Sequence, residues 1–271
     1  MEDQRTTAEN AELERTLAAV NEAQEAAATE VRRSDEGYWA KPVRTIGAHE
    51  VPEGAIDLNV TGRRLSGAMG GFGRLWQKTF WVRLDGASVP PQEVINVWKQ
   101  RFGDFWPKGN RMFLPAGGIA PGEIGLIKAT PMPGVPAMAT GVMVIYADEE
   151  SFSFMSPEGH PFAGPLTFSA FEEDGATVAQ VHELTRASDP FWELALMLPV
   201  LGERMQNDIW RSTLGNLATH FGVTSPQVRS RIQVVDDRRQ WKNWKNIWNN
   251  AAIRSGVYAM AAPLRRFRRR T

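Results

Sequence analysis

Between residues 123 and 186 the chain carries five strand-like runs and no helical one, at 123–130, 137–147, 151–155, 166–172 and 176–186. Short runs bounded by Gly, Pro and Asp read as strands. The last two meet at Asp174-Gly175, a strong signal for a tight hairpin. A loop with Pro157, Gly159, Pro161, Gly164 and Pro165 separates them from the first three. The period then changes. Ser188 or Asp189 can cap a helix, and Pro190 suits its first position. Pro199 interrupts the pattern, which predicts a short helix and then a long one from about Val200 to His220. Leu194, Leu198, Leu201, Met205, Ile209, Leu214, Leu217 and Phe221 form its buried side, and Gly222 is a natural stop. Upstream, Thr79 to Leu84 reads as a strand ending at the Asp85-Gly86 turn. Pro90 and Pro91 open a helical stretch through Trp106, with Val94, Val97, Trp98, Arg101 and Phe102 at helical spacing.

The ends differ from this centre. Residues 1–36 contain no Gly or Pro and hold 10 acidic and 4 basic side chains. They read as a solvated, partly disordered acidic helix or a weak self-association helix. Residues 37–75 are rich in Gly and Pro and read as a linker that packs its aromatics on the main domain. The stretch Gly67-Ala68-Met69-Gly70-Gly71-Phe72-Gly73 lacks the Lys-Ser/Thr of a phosphate loop. Residues 226–271 hold 12 basic and 2 acidic side chains, so the formal net charge of zero is a cancellation between a body at −10 and a tail at +10. The neutral total argues against a surface built wholly for nucleic acid. With no cysteine, disulfides, thiol nucleophiles and cysteine-held metal are excluded. Neither a signal peptide nor an apolar run of ~20 residues is evident, so the expectation is a cytoplasmic protein.

Strand, helix, a run of antiparallel strands and a long C-terminal helix resemble the START-like, or SRPBCC, helix-grip superfamily, which includes Bet v 1-like proteins and polyketide cyclases. Residues 152–217 look most like an uncharacterised bacterial branch of it. The matching text is Gly159-His160-Pro161, Gly164, Phe168, the Asp174-Gly175 hairpin, Arg186, Pro199, Arg204 and Gln206. The resemblance implies an α+β helix-grip fold at 76–222, a curved antiparallel sheet around the long helix, with helical extensions at both ends. It also implies a cavity between sheet and helix for an apolar small molecule or lipid. It supplies no universal catalytic set.

Candidate ligand-binding residues in such a cavity are Trp98, Phe102, Met138, Met143, Phe154, Phe168, Gln180, His182, Leu201 and Met205. On the strand 177–186, alternation puts Val178, Gln180, His182, Leu184 and Arg186 on one face and Ala179, Val181, Glu183 and Thr185 on the other. Gln180 and His182 facing a cavity could orient a ligand's oxygen, or that face could look at solvent. His160 reads as a turn-stabilising histidine. An enzyme of the cyclase, dehydratase or hydrolase kind is the alternative to a binder. Its acid–base pair would come from His182, Glu183 and Arg186. The four histidines show no metal-ligand spacing, and neither metal nor cofactor is expected. In the tail, Ser225-Pro226 suggests a helix start, with Val228, Ile232 and Val235 on one stripe. Trp241, Trp244, Trp248 and Ala251 form a second, nearly opposite stripe, which predicts a break near 236–240. With Lys242, Lys245, Arg265, Arg266, Arg268, Arg269 and Arg270, the second stripe makes a basic, Trp-rich amphipathic segment suited to an anionic membrane surface. The same charge and aromatics could contact nucleic acid, or the tail could pack on the domain. A third role for the whole chain is an interaction scaffold using its charged ends.

Overall fold

The computed structural model describes residues 35–115, 117–130, 137–198 and 203–261, with the side chains of 203–206 excepted. The chain divides into two units, 1–39 and 40–271. In the first, a short three-ten turn spans Glu36–Tyr38, and the Trp39 indole donates to Asp35 at 3.3 Å. Of the acidic helix expected at 1–36, residues 1–34 lie outside the described residues.

In the second unit, β1 (Leu75–Arg83) leads to α1 (Pro91–Gln100) and α2 (Phe102–Phe105). Then follow β2 (Asn110–Phe113), β3 (Ile124–Ala129), β4 (Met138–Ala147), β5 (Ser151–Met155), β6 (Phe162–Ala163), β7 (Pro165–Glu173) and β8 (Ala176–Ala187). Helices α3 (Pro190–Met197) and α4 (Glu203–His220) come next, then β9 (Arg229–Asp236), a three-ten helix Trp241–Asn249 and α5 (Ala251–Met260). The strands form one sheet in the order β2-β3-β4-β5-β7-β8-β1-β9, with β6 on the far end of β8. The β7–β8 hairpin turns at Asp174 and Gly175, both at positive φ (48° and 71°), as a tight two-residue turn requires. Asp189 caps α3 by accepting from the Trp192 amide at 3.0 Å. This is a helix-grip α+β fold, as the sequence resemblance implied.

One face of the sheet packs on the helices. Phe80, Val142, Phe152, Phe168 and Val181 meet Val94, Ile95 and Trp98 of α1, Phe102 of α2, and Leu214 and Leu217 of α4. Phe168 is the hub, stacked on Phe152 at 4.7 Å and edge-on to Trp98 and Phe102 at 5.2 Å and Trp210 at 5.6 Å. A smaller cluster joins Ile46 and Val60 to Phe113, Ile124, Leu126 and Met143. Residues 40–73 are thus bound to the domain along their length. Ser66 donates to Ser156 O at 2.8 Å, and Phe72 is buried. The glycine cluster marks close approach, since a Cβ on Gly71 would lie 2.7 Å from the Arg186 Cβ.

Two elements of the tail differ from the sequence expectation. Residues 229–236 form a strand, not a helix, paired antiparallel with β1 from Trp81↔Arg229 to Leu75↔Asp236. The sheet therefore continues past 222, and the basic segment supplies its edge. Residues 241–249 form a three-ten helix rather than an α-helix. The text Trp-Lys-Asn, Trp-Lys-Asn, Ile-Trp-Asn repeats every three residues, which is the three-ten period. Three columns result. Asn243, Asn246 and Asn249 share one. Asn243 donates to Met69 O and Gly71 O, and Asn246 to Gly70 O and Ser188 O, at 2.7–3.1 Å. Asn249 accepts from Arg63 at 2.6 Å. The other columns carry Trp241 and Trp244, and Lys242, Lys245 and Trp248. The three tryptophans are 70%, 46% and 74% exposed, respectively. No helix among the described residues is long and apolar enough to cross a membrane.

Candidate functional site

Sheet and helices do not close completely on each other. A cavity of about 430 Å³ remains between them. Met112, Ile127, Met138, Thr140, Val142, Phe154, Leu166, Glu183 and Thr185 line it from the sheet. Alternation places 138, 140 and 142 of β4, and 183 and 185 of β8, on that face. Phe102, Trp106, Ile209 and Trp210 line it from the helical side. Its rim is His160-Pro161-Phe162, α3 with Phe191, Trp192, Ala195 and Leu196, and Ala252 of α5. The lining is mostly apolar, with a few polar groups, the usual make-up of a small-molecule site. A hollow of about 620 Å³ beside residues 87–92 and the β7–β8 turn is more open and lacks a comparable aromatic lining.

Glu183 is the acidic side chain of the cavity wall and is only 2% exposed. Its carboxylate accepts from the Trp210 indole N–H. Lys78, also buried, stands opposite it in the β1–β8 register and donates to Asn207 at 3.5 Å. His160 Nδ1 lies 3.1 Å from both the amide nitrogen and the carbonyl oxygen of Phe162. Burial among protein atoms holds its pKa down at about 4, so the imidazole is neutral. Asp189, where α3 begins, is buried and accepts from Asn250 at 2.9 Å. Burial pushes its carboxyl above the usual range. The same Asn250 accepts from the Ala252 and Ile253 amides and so starts α5, which couples the two rim helices.

Of the expected ligand residues, Phe102, Met138 and Phe154 line the cavity. Trp98 and Phe168 lie behind it in the core, and Met143 belongs to the smaller cluster with Ile46 and Val60. Gln180 and His182 are corrected to the half-exposed face of β8, opposite to Glu183. His182 contacts Gln77 at 3.2 Å, and burial lowers its pKa. Leu201 and the Met205 side chain lie outside the described residues. Arg186 is a structural clamp rather than a cavity residue. It donates to Gly73 O (2.7 Å), Arg238 O (2.9 Å) and Asp236 (2.6 Å), tying β8 to the end of β9. Two guanidiniums hold the Asp236 carboxyl well below the usual carboxylate range. The expected trio His182, Glu183 and Arg186 is therefore divided between two faces. Trp106 lines the cavity as well, and Thr140, Thr185, Trp192 and Trp210 are cavity residues that the sequence reading missed. Lys242 and Lys245 are exposed beside the tryptophans, whereas Arg265, Arg266, Arg268, Arg269 and Arg270 lie outside the described residues.

No protein-family model matches the chain, and neither does any curated protein. Solved structures similar to it include protein Ms6760 from Mycobacterium smegmatis, at 16% identity and TM-score 0.40, over 55% of this chain and 92% of that one. The di-domain ARO/CYC StfQ of the steffimycin biosynthetic pathway is similar at 15% identity and TM-score 0.39, over 54% and 50%. The major latex-like protein 151 of Panax ginseng is similar at 13% identity and TM-score 0.37, over 55% and 99%.

Proposed function

We propose that the protein binds an apolar small molecule or lipid in the cavity between the sheet and α4, and that its Trp-Lys-Asn segment rests on an anionic membrane surface. The cavity of about 430 Å³, walled by Phe102, Met112, Ile127, Met138, Phe154 and Leu166, carries the first part. At ~30 Å³ per water its volume would hold about 14 waters, most of them without polar partners. An apolar guest displaces them favourably. The membrane part draws on exposed apolar side chains near the rim. Leu194 and Met197 stand out on α3, and Ile253, Val257 and Met260 form a stripe on α5. Trp241, Trp244 and Trp248 with Lys242 and Lys245 add interfacial aromatics and positive charge.

The test is native mass spectrometry of the purified full chain, followed by titration with anthracene. The expected result is a co-purified apolar molecule or one saturable anthracene site. Val142→Trp, which fills the cavity, should remove binding while thermal unfolding remains cooperative. Absence of both ligand and probe binding would sink the proposal. A second reading, acid–base chemistry in the same cavity, is favoured by the buried Glu183 carboxylate in its wall. It predicts turnover that Glu183→Gln abolishes without loss of anthracene binding.

A further inference from the structure

Two half-buried arginines stand where the turn at 59–63 joins the start of α5, outside the cavity. Arg63 donates through Nη1 to Asn249 Oδ1 at 2.6 Å, and Arg254 donates through Nε to Asn59 Oδ1 at 2.9 Å. Asn59 is fully buried, and its Nδ2 donates to Ala139 O at 2.7 Å and to Ala251 O at 3.3 Å. One network thus ties both guanidiniums to residues 249–254. Burial and the Arg254 charge lower the pKa of Arg63, with Glu158 opposing them, so the two cations stand in each other's field. Glu158 is itself ion-paired with Arg64 at 2.5 Å. Among the described residues neither Arg63 nor Arg254 has a salt bridge of its own.

Amide oxygens orient these guanidiniums without neutralising them. Like charges held close in half-buried positions are unfavourable until an anion joins them. The nitrogens left over from the two bonds reach solvent, so both forks are open to an anion from outside. A guanidinium's parallel N–H groups match the oxygens of a phosphate. Two such charges suit a monoester, which approaches a dianion at pH 7, better than a singly charged diester. The surroundings indicate the source. Arg254 flanks the exposed stripe Ile253, Val257 and Met260 of α5, and the exposed Trp248 precedes Asn249. Apolar side chains beside the charges favour a phosphate that arrives on an acyl-chain lipid. Resting on the membrane reading above, we infer that Arg63 and Arg254 form a headgroup site for a phosphomonoester lipid of the phosphatidic acid kind. Asn59 and Asn249 aim its two forks.

Co-sedimentation of the full chain tests this. Vesicles of phosphatidylcholine carry either phosphatidic acid or phosphatidylserine, matched in surface charge. The chain should bind the phosphatidic acid vesicles at least about fivefold tighter. Arg63→Lys and Arg254→Lys keep the charge and remove the fork. Each should cut the preference to about twofold or less and leave phosphatidylserine binding within about twofold. Asn249→Asp, nearly isosteric, neutralises Arg63 in place and should also remove the preference. It keeps the test alive if a lysine variant no longer unfolds cooperatively. Glycerol 3-phosphate, titrated by calorimetry without vesicles, should bind more weakly than the lipid and compete for the phosphatidic acid vesicles.

Equal binding to the two charge-matched vesicles overturns this inference and leaves the membrane reading standing. A phosphatidic acid preference that survives all three substitutions overturns it too, since another group would then hold the phosphate. Glycerol 3-phosphate binding as tight as vesicle binding overturns the lipid source and assigns the site to a free phosphomonoester. Failure of every vesicle removes the membrane reading and this inference together.

Discussion

His160 is held at the rim with Nδ1 3.1 Å from the amide and the carbonyl of Phe162, and burial disfavours its charged form. The folded pKa, about 4, lies below the ordinary value of 6.5. Above pH 6.5 the ring is neutral folded or unfolded, and its contribution to stability is fully present. Below that the unfolded chain takes up a proton that the folded one refuses, and stability is lost until pH has fallen through 4. The full loss is up to about 3 kcal/mol. Urea titrations from pH 7 to 4 should show it, and His160→Asn, which keeps an acceptor, should flatten that part of the slope. A variant slope equal to the wild type's would place the titrating group elsewhere. On β8 the residue scale was partly legible. Ala179, Val181, Glu183 and Thr185 form the more apolar of the two faces, and an ionisable residue on such a face is a signal. The face with Gln180 and His182, which has more polar chemistry, reads either as a ligand contact or as a solvent face. Burial follows hydrocarbon, so the other face turned inward. Trp106 and Trp192 belong to a loop and a rim helix, whose partners only tertiary packing defines.

Strands β3, β4, β5, β7 and β8 and the pair α3–α4 were legible because turn residues punctuate them and each keeps one period, whereas the two-residue β6 lies in what reads as a loop. β9 was not, because Val228, Ile232 and Val235 also fit helical spacing over a run of only eight residues. Edge pairing with β1 decided it, through backbone hydrogen bonds that a helix would have forgone. β2, four residues long, lacks the alternation that marks a strand. The segment 241–249 carried its signal openly, in a repeat of three residues, but was read with a period of 3.6. Asparagine at every third position brings the side chains that dock it onto backbone carbonyls of the 69–71 loop and Ser188. An Asn243→Ala/Asn246→Ala double variant should therefore lose about 2–4 kcal/mol, taking each bond at 0.5–1.5 kcal/mol less than full additivity. Hydrogen exchange should rise at 241–249 first. Protection unchanged there would mean that the segment is held by Phe72 against Trp241 instead.

At the scale of the whole molecule, the zero net charge conceals opposite signs that meet in specific places. Arg186 and Asp236 join β8 to β9, and the buried Glu193 of α3 faces Arg239 at 3.1 Å and Arg74 at 3.6 Å. The basic segment is thus built into the domain through 261, and truncation at 239 would remove part of the fold along with any surface it offers. Substitution of exposed side chains is the cleaner experiment. Lys242 and Lys245 are each worth roughly 1 kcal/mol near acidic lipid, and the exposed tryptophans add apolar contact at the interface. Co-sedimentation with vesicles of phosphatidylcholine and phosphatidylserine should find the full chain on the anionic vesicles and free of neutral ones. Lys242→Glu/Lys245→Glu should lower the partition at least about tenfold, because two attractions become repulsions. Trp241→Ser/Trp244→Ser/Trp248→Ser should reduce what remains at high salt, where screening leaves the apolar part. Each variant must retain anthracene binding, which shows that the cavity is intact. Binding that ignores lipid charge and all five substitutions would mean that the tryptophans face another partner, and that the basic segment serves the fold alone.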